Sequence, residues 1–194
     1  MPEADVDTFL RYILRNGKNR ALLERLAKLA LPDHHLVAGC LFQSVWNGLS
    51  GFRPEYGIAD YDVFYHDPTD LSWDAEDVVI RRCADAFADL GVEVQVRNQA
   101  RVHLWYEQRF GLPCPPIRSS REAIDTFPNQ SSCFGVCQRS DGTFDVYAPF
   151  GFADLFDMVL RPNLARDLRF RYYEKANRWR AVWPDLVVLP WPVT

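Results

Sequence analysis

Little in this chain of 194 residues points to a membrane, an export route or a structural metal. No apolar run approaches the ~20 residues needed to cross a bilayer, so no membrane partner is expected. The opening stretch MPEADVD is acidic where a secretory leader would be basic. Five cysteines (Cys40, Cys83, Cys114, Cys133 and Cys137) form no CxxC pair and no Cys/His cluster of zinc spacing. Their odd number points to a reducing, cytoplasmic location, and Cys133 and Cys137 are too far apart along one strand to be bridged. Basic residues are not in excess either: 22 stand against 26 acidic ones, a net charge of −4. That excludes a wholly basic nucleic-acid coat and leaves room only for a local basic groove. Internal repeats and low-complexity tracts are absent as well.

Apolar residues are plentiful, at 48% of the chain, and aromatic ones reach 14%, enough for a bulky core or for surfaces that stack planar ligands. Two short helices open the chain. The first carries Val6, Phe9, Leu10, Ile13 and Leu14 on one face and stops at Asn16-Gly17; the second carries Leu22, Leu26 and Leu29 and closes at Pro32. Leu36 to Gly39 has the apolar continuity of a buried strand and turns directly into a helix presenting Phe42, Val45, Trp46 and Leu49. A strand follows over Asp60 to Tyr65 and a long helix over Asp74 to Leu90. The alternation of Val92, Val94 and Val96 with Glu93, Gln95 and Arg97 predicts a half-buried strand. A second alternation over Arg101 to Tyr106 predicts its hairpin partner.

Ser119 and Glu122 form a capping box for a short helix, and Asp141-Gly142 marks a hairpin between Phe134 to Arg139 and Thr143 to Ala148. The tail is helical around Asp154 to Leu160 and again around Leu168 to Val182. Trp46, Trp73 and Trp105 are expected in the core. The order of elements predicts an α/β or α+β domain spanning 1–194. Its parts are N-terminal helices over 3–30, a core over about 30–150 and a C-terminal helical extension over 151–194.

The chemistry concentrates at Asp60-Tyr61-Asp62-Val63. Residues two apart on a strand share a face, with Cα atoms roughly 6.5–7 Å apart. Two carboxylates placed so repel one another unless cations compensate them, and Mg²⁺, which prefers oxygen ligands, is the natural compensation. Two solvated aspartates on an edge strand would satisfy the same pattern. Gly39, at a strand-to-helix turn, suits a phosphate cradle at free backbone N–H groups, or simply a tight turn. Glu93, on the polar face of a later strand, is either a third carboxylate or an exposed strand residue. Together the three elements describe a metal-dependent phosphoryl- or nucleotidyl-transfer site.

Gly39-Cys40, Asp60-Tyr61-Asp62-Val63 and Glu93 resemble the motif of the nucleotidyltransferase superfamily of the DNA polymerase beta type. The blocks AGCLFQSVWNGLSG, YGIADYDVFYHD, LSWDAEDVVIRR, RNQARVHLWYEQRFG and VYAPFGFADLF are similar to a bacterial family of nucleotidyltransferase-like proteins of unassigned function. That similarity runs roughly from Leu36 to Asn163. The resemblance implies a mixed sheet flanked by helices and two Mg²⁺ ions, or Mn²⁺ in their place, gripping a nucleoside triphosphate (NTP). Asp60 and Asp62 would bind both metals, and Glu93 would bind the one that activates an acceptor hydroxyl. Cys40 replaces the serine that usually helps hold the triphosphate; a thiol is a poor donor, so Ser44, one turn on, is the candidate substitute.

Arg97, on the face of Glu93, is the candidate triphosphate contact, with a surface ion pair as its alternative. Arg118 to Arg121 suits a phosphate or a plain helix cap. Arg161 to Arg180 holds seven basic and two acidic residues among Phe170, Tyr172, Tyr173 and Trp179; it suits an RNA or DNA acceptor or a packed face with solvated arginines. Asp60 to Glu93 holds ten acidic and two basic residues, a strip expected to centre on the metal site.

The expected function is transfer of a nucleoside monophosphate (NMP) from an NTP to an acceptor hydroxyl on RNA, protein or a small molecule. The alternative is a nucleotide- or nucleic-acid-binding protein without turnover. Asp145 is the replacement third carboxylate if Glu93 points away.

Overall fold

The computed structural model describes residues 4–192, so the outer edges of the predicted domain, 1–3 and 193–194, lie outside the described residues. Helix α1 (Val6–Ile13) begins at Asp5, whose carboxylate accepts from the Thr8 N–H at 2.7 Å. Asn16 does not stop α1 but starts α2 (Gly17–Leu29): its side-chain oxygen accepts from the N–H groups of Lys18 and Asn19. β1 (His35–Val37) runs straight into α3 (Gly39–Leu49), and β2 (Asp60–Tyr65) follows. Next come α4 (Trp73–Phe87), capped by Ser72, and β3 (Glu93–Asn98).

The strand predicted over Arg101 to Tyr106 is absent. Gln99–Leu104 is a 3-10 turn, and α5 (Tyr106–Phe110) succeeds it. Asn98 turns the chain out of the sheet: its side-chain oxygen accepts from the Ala100 N–H at 3.1 Å. Arg101 is buried and ion-paired to buried Glu76 of α4. A buried ion pair, rather than a sheet ladder, therefore fixes the chain at Arg101.

α6 (Ser120–Ile124) is capped by Ser119, whose hydroxyl accepts from the Glu122 N–H at 3.0 Å. Glu122 reaches back to the N–H of Arg118 rather than Ser119, one residue beyond a standard capping box. The hairpin β4 (Gly135–Gln138) and β5 (Phe144–Tyr147) forms as predicted. The C-terminal segment is only partly helical. α7 (Ala153–Phe156) is one turn, β6 (Val159–Leu160) follows, and β7 (Val187–Val188) returns after α8 (Arg169–Val182) to pair with β6 in parallel.

The main sheet has the order β3-β2-β1-β4-β5; only β2 and β3 run parallel, joined across α4. This is a mixed α/β sheet flanked by helices, as the family resemblance implies. Its period of two divides the chemistry. Tyr61, Val63, Leu36, Val96 and Val136 face a core shared with Phe9, Leu22, Phe42, Trp46, Phe87, Trp179 and Trp183, drawn from the N-terminal helices, α3, α4 and α8. The opposite face carries Asp60, Asp62 and Phe64 on β2 beside Glu93, Gln95 and Arg97 on β3. Over β1 and β4 a small cluster covers this face, with Val37, Ile124 and Cys133 packed against Phe64, Phe127 and Tyr147. The β2 and β3 portion stays accessible.

Of the three tryptophans expected inside, only Trp46 is buried. Trp73 is 64% exposed beneath the Arg101 guanidinium, and Trp105 lines a groove. Among the described residues, no helix is long and apolar enough to cross a membrane.

Candidate active site

Parallel pairing of β2 with β3 sets Asp60 opposite Glu93, Asp62 opposite Gln95 and Phe64 opposite Arg97. All three predicted carboxylates thus share one sheet face. The Gln95 amide donates to Glu93 Oε1 at 2.9 Å and to Asp60 Oδ2 at 3.4 Å, linking the two acids. Among the described residues, no three His, Cys, Asp or Glu side chains converge closely enough to hold a metal ion. As placed, Glu93 is turned to Gln95 and does not complete a cluster with the aspartates. Asp145 does not replace it: it lies on β5, with β1 and β4 between it and β2, and is ion-paired to Arg121 and Arg139 at 2.7 Å each.

Burial, followed by the charge of Asp60, pushes the Asp62 carboxyl up to about 7; Lys175 and Arg97 oppose the shift without cancelling it. Lys175 comes from α8, well away in sequence. Burial depresses its ammonium below the ordinary value, neighbouring Arg178 adds to this, and the two aspartates pull the other way. Among the described residues, no Lys or Arg nitrogen lies within ion-pair distance of Asp60 or Asp62.

The glycine turn stands at the edge of this face, because Val37 pairs with Asp62 in antiparallel register and the chain continues past β2. Ala38 holds φ 61° and ψ −134°, an uncommon conformation for a residue with a side chain and one that concentrates at functional sites. No side chain caps the N-terminus of α3; the Leu41 N–H donates to the Ala38 carbonyl at 3.1 Å, and the N–H groups ahead of it have no acceptor within the helix. A Cβ on Gly39 would lie 2.8 Å from the Gln43 side-chain nitrogen. Gln43 is 7% exposed, and its Oε1 has no hydrogen-bond partner. The orphaned oxygen can only accept; the amide's Nε2, which lies against Gly39 at the helix N-terminus, is the atom able to donate to an anion.

Cys40 and Ser44 are placed differently. The Cys40 thiol is fully buried, points back to the Val37 carbonyl at 3.4 Å, and is held well above its ordinary pKa by burial. The Ser44 hydroxyl donates its only hydrogen to the Cys40 carbonyl at 2.7 Å and accepts from Asn16 and Asn19. It joins the N-terminal helices to α3 on the core side of the sheet, with no proton left for a phosphate. Gln43, one residue earlier, was the missed donor; its signal is a polar residue one turn past the glycine on an otherwise apolar helix.

Beside the carboxylates opens a groove of about 1050 Å³, reached from the sheet at Phe64 and Arg97 and from α8 at Lys175 and Arg178. The acidic strip does not surround it. α4 packs against β3 with Cys83 and Phe87 in the main core, so the acids of Asp74 to Asp89 belong to the other side of the sheet. The groove itself is basic. The Arg118 to Arg121 segment is used structurally, in the cap and in ion pairs with Glu122 and Asp145.

A family model described as Nucleotidyltransferase matches residues 24–188. In sequence, no curated protein matches. An NMR structure described as revealing a CCA-adding enzyme head domain is similar with a TM-score of 0.77 and 22% identity, covering 97% of this chain and 98% of that chain. At that identity the likeness is one of fold.

Proposed function

Since this chain belongs to the nucleotidyltransferase family whose model spans most of its length, we propose that it transfers an NMP from an NTP to an acceptor hydroxyl. The observation that carries this reading is the pairing of Asp60 and Asp62 with the uncapped N-terminus of α3 at one edge of one sheet face. The donor set fits a hard divalent cation: oxygen ligands share a face, and burial followed by the charge of Asp60 pushes Asp62 up to about 7, a cost that a bound cation would offset. Asp60 and Asp62 would hold Mg²⁺ or Mn²⁺, with Glu93 able to join for a second ion. Such a cation, when bound, offsets charge on the transferring phosphate and on the attacking and leaving oxygens.

The chain's own groups supply the rest. The α3 N–H groups and the Gln43 amide receive phosphate oxygens where Cys40 offers no hydroxyl. Arg97 and Lys175, cations facing Asp62 from β3 and α8, neutralise the polyphosphate and hold its α-phosphorus in line. The acceptor oxygen bonds to that phosphorus as the bond to the bridging oxygen breaks, and pyrophosphate leaves. The acceptor's proton passes to Glu93, the exposed carboxylate of the set.

The test is pyrophosphate release from each NTP with Mg²⁺ or Mn²⁺ and a panel of RNA, protein and small-molecule acceptors. Loss of release in the Asp60→Asn, Asp62→Asn double variant is expected; release that survives would sink the mechanism. A second reading, nucleotide binding without turnover, draws on the engagement of Glu93 with Gln95. It predicts tight NTP binding with no pyrophosphate released.

A further inference from the structure

The groove beside the carboxylates exceeds what one nucleotide needs. At about 1050 Å³ it stands at the upper end of small-ligand sites. One wall is the 3-10 turn and α5, with Trp105, Tyr106, Arg109 and Phe110; the other is the segment 166–178 leading into and along α8. Seven Arg and Lys residues line it against two carboxylates, Asp167 and Glu174. Among the described residues, only one of the seven, Arg171, has an acidic partner, Glu174.

All of the seven except Arg97 are layered on aromatic rings. Arg166 lies 4.5 Å over Tyr106, Arg171 5.2 Å over Phe110, and Arg109 5.5 Å over Phe110. Phe170 is 78% exposed at the rim, an exposure that burial in the core does not explain. Planar guanidinium groups and rings, with cations outnumbering acids seven to two, fit a ligand that is both polyanionic and planar: a phosphate backbone with unpaired bases. The inner end of the groove meets Phe64, two residues from Asp62, and Lys175, which faces Asp62.

The geometry points to this groove as the acceptor subsite, taking the 3′ end of a single-stranded RNA. A strand entering past Phe170 stacks bases between the two walls and delivers its terminal hydroxyl to the Asp60 and Asp62 face. The ribose favours RNA: Asp167 and Glu174 retain lone pairs that a 2′-hydroxyl can donate to, and DNA has no such donor. This inference rests on the nucleotidyl-transfer reading for its chemistry, but binding alone tests it.

The experiment follows fluorescence anisotropy of a labelled single-stranded 12-nucleotide RNA with the full chain and no NTP, across a salt series. DNA of the same sequence and polyglutamate of equal charge serve as comparisons. RNA is expected to bind severalfold tighter than DNA and not to be displaced by polyglutamate. Phe170→Ala, at an exposed position that folding does not need, weakens RNA at least about fivefold. Arg109→Gln with Arg169→Gln lowers the slope of log affinity against log salt by about 1.4, from two lost phosphate contacts at ~0.7 each. Asp60→Asn with Asp62→Asn abolishes pyrophosphate release and leaves RNA bound, so the two readings fail separately. RNA affinity unchanged by both groove variants, DNA bound as tightly as RNA, or displacement by polyglutamate overturns the assignment.

Discussion

Asp60 lies directly across the parallel β2 and β3 register from Glu93, and the Gln95 amide is hydrogen-bonded to both carboxylates. A single neutral donor therefore holds two acids that would otherwise repel. Gln95→Leu removes that orienting group while keeping its size. Turnover is expected to fall about 10- to 100-fold, as for other outer-shell partners of ligating carboxylates. Glu93→Gln, which removes the proposed proton acceptor itself, is expected to cost about 10²- to 10⁴-fold. Single-turnover rates distinguish the two; an unchanged rate in Glu93→Gln would assign the proton elsewhere.

Asp62 makes the metal-free protein sensitive to pH. The folded chain keeps its proton up to about 7, whereas an unfolded aspartic acid loses it near 3.8. Between those values the folded state binds the extra proton, so stability declines as pH rises across the window and levels off above it. Asp62→Asn should flatten that decline, and Mg²⁺ should raise the wild-type Tm more at pH 8 than at pH 5. Thermal melts from pH 4 to 8 in chelator check this; parallel curves for wild type and variant would contradict it.

Gln43 joins a stability cost to a binding role. Its Oε1 is buried without a partner, so Gln43→Leu should leave the fold as stable or more stable, by about 1 kcal/mol. The same change should weaken NTP binding about 10- to 100-fold, the worth of one hydrogen bond to a charged group. Urea denaturation and equilibrium NTP titration measure the two effects. An unaltered Kd would remove Gln43 from the phosphate cradle.

The Glu76 to Arg101 pair governs the edge of the sheet. Glu76 also accepts from the Asn98 N–H at 2.8 Å, and Arg101 donates to the Leu71 carbonyl at 2.9 Å. Arg101→Met strands a buried carboxylate and should cost about 3–5 kcal/mol. Adding Glu76→Leu should recover part of that loss. Denaturant midpoints decide, and a single variant as stable as wild type would show the pair to be dispensable.

The local pattern made much of this legible. β2 and β3 follow from their period of two, which also places Asp60, Asp62, Glu93 and Arg97 on one face, and the Gly39 turn follows from a strand meeting a helix without a linker. What the sequence concealed is tertiary. The alternation of Arg101 to Tyr106 mimics a strand, but its arginine is captured by Glu76 of a helix 25 residues earlier. The acids of α4 follow the site in sequence yet lie across the sheet from it. Lys175 faces Asp62 from the C-terminal segment, and no spacing rule connects them. Ser44 was a reasonable substitute for a serine at position 40, but the Asn16 and Asn19 side chains that engage it come from the N-terminal helices.

The most direct test of nucleotidyl transfer is the fate of label from an α-³²P-NTP incubated with the full chain, Mg²⁺ and single-stranded RNA. The account predicts label joined to the RNA 3′ end, pyrophosphate released in equal amount, and both lost in the Asp60→Asn, Asp62→Asn variant. Label transferred equally well by that variant would contradict it.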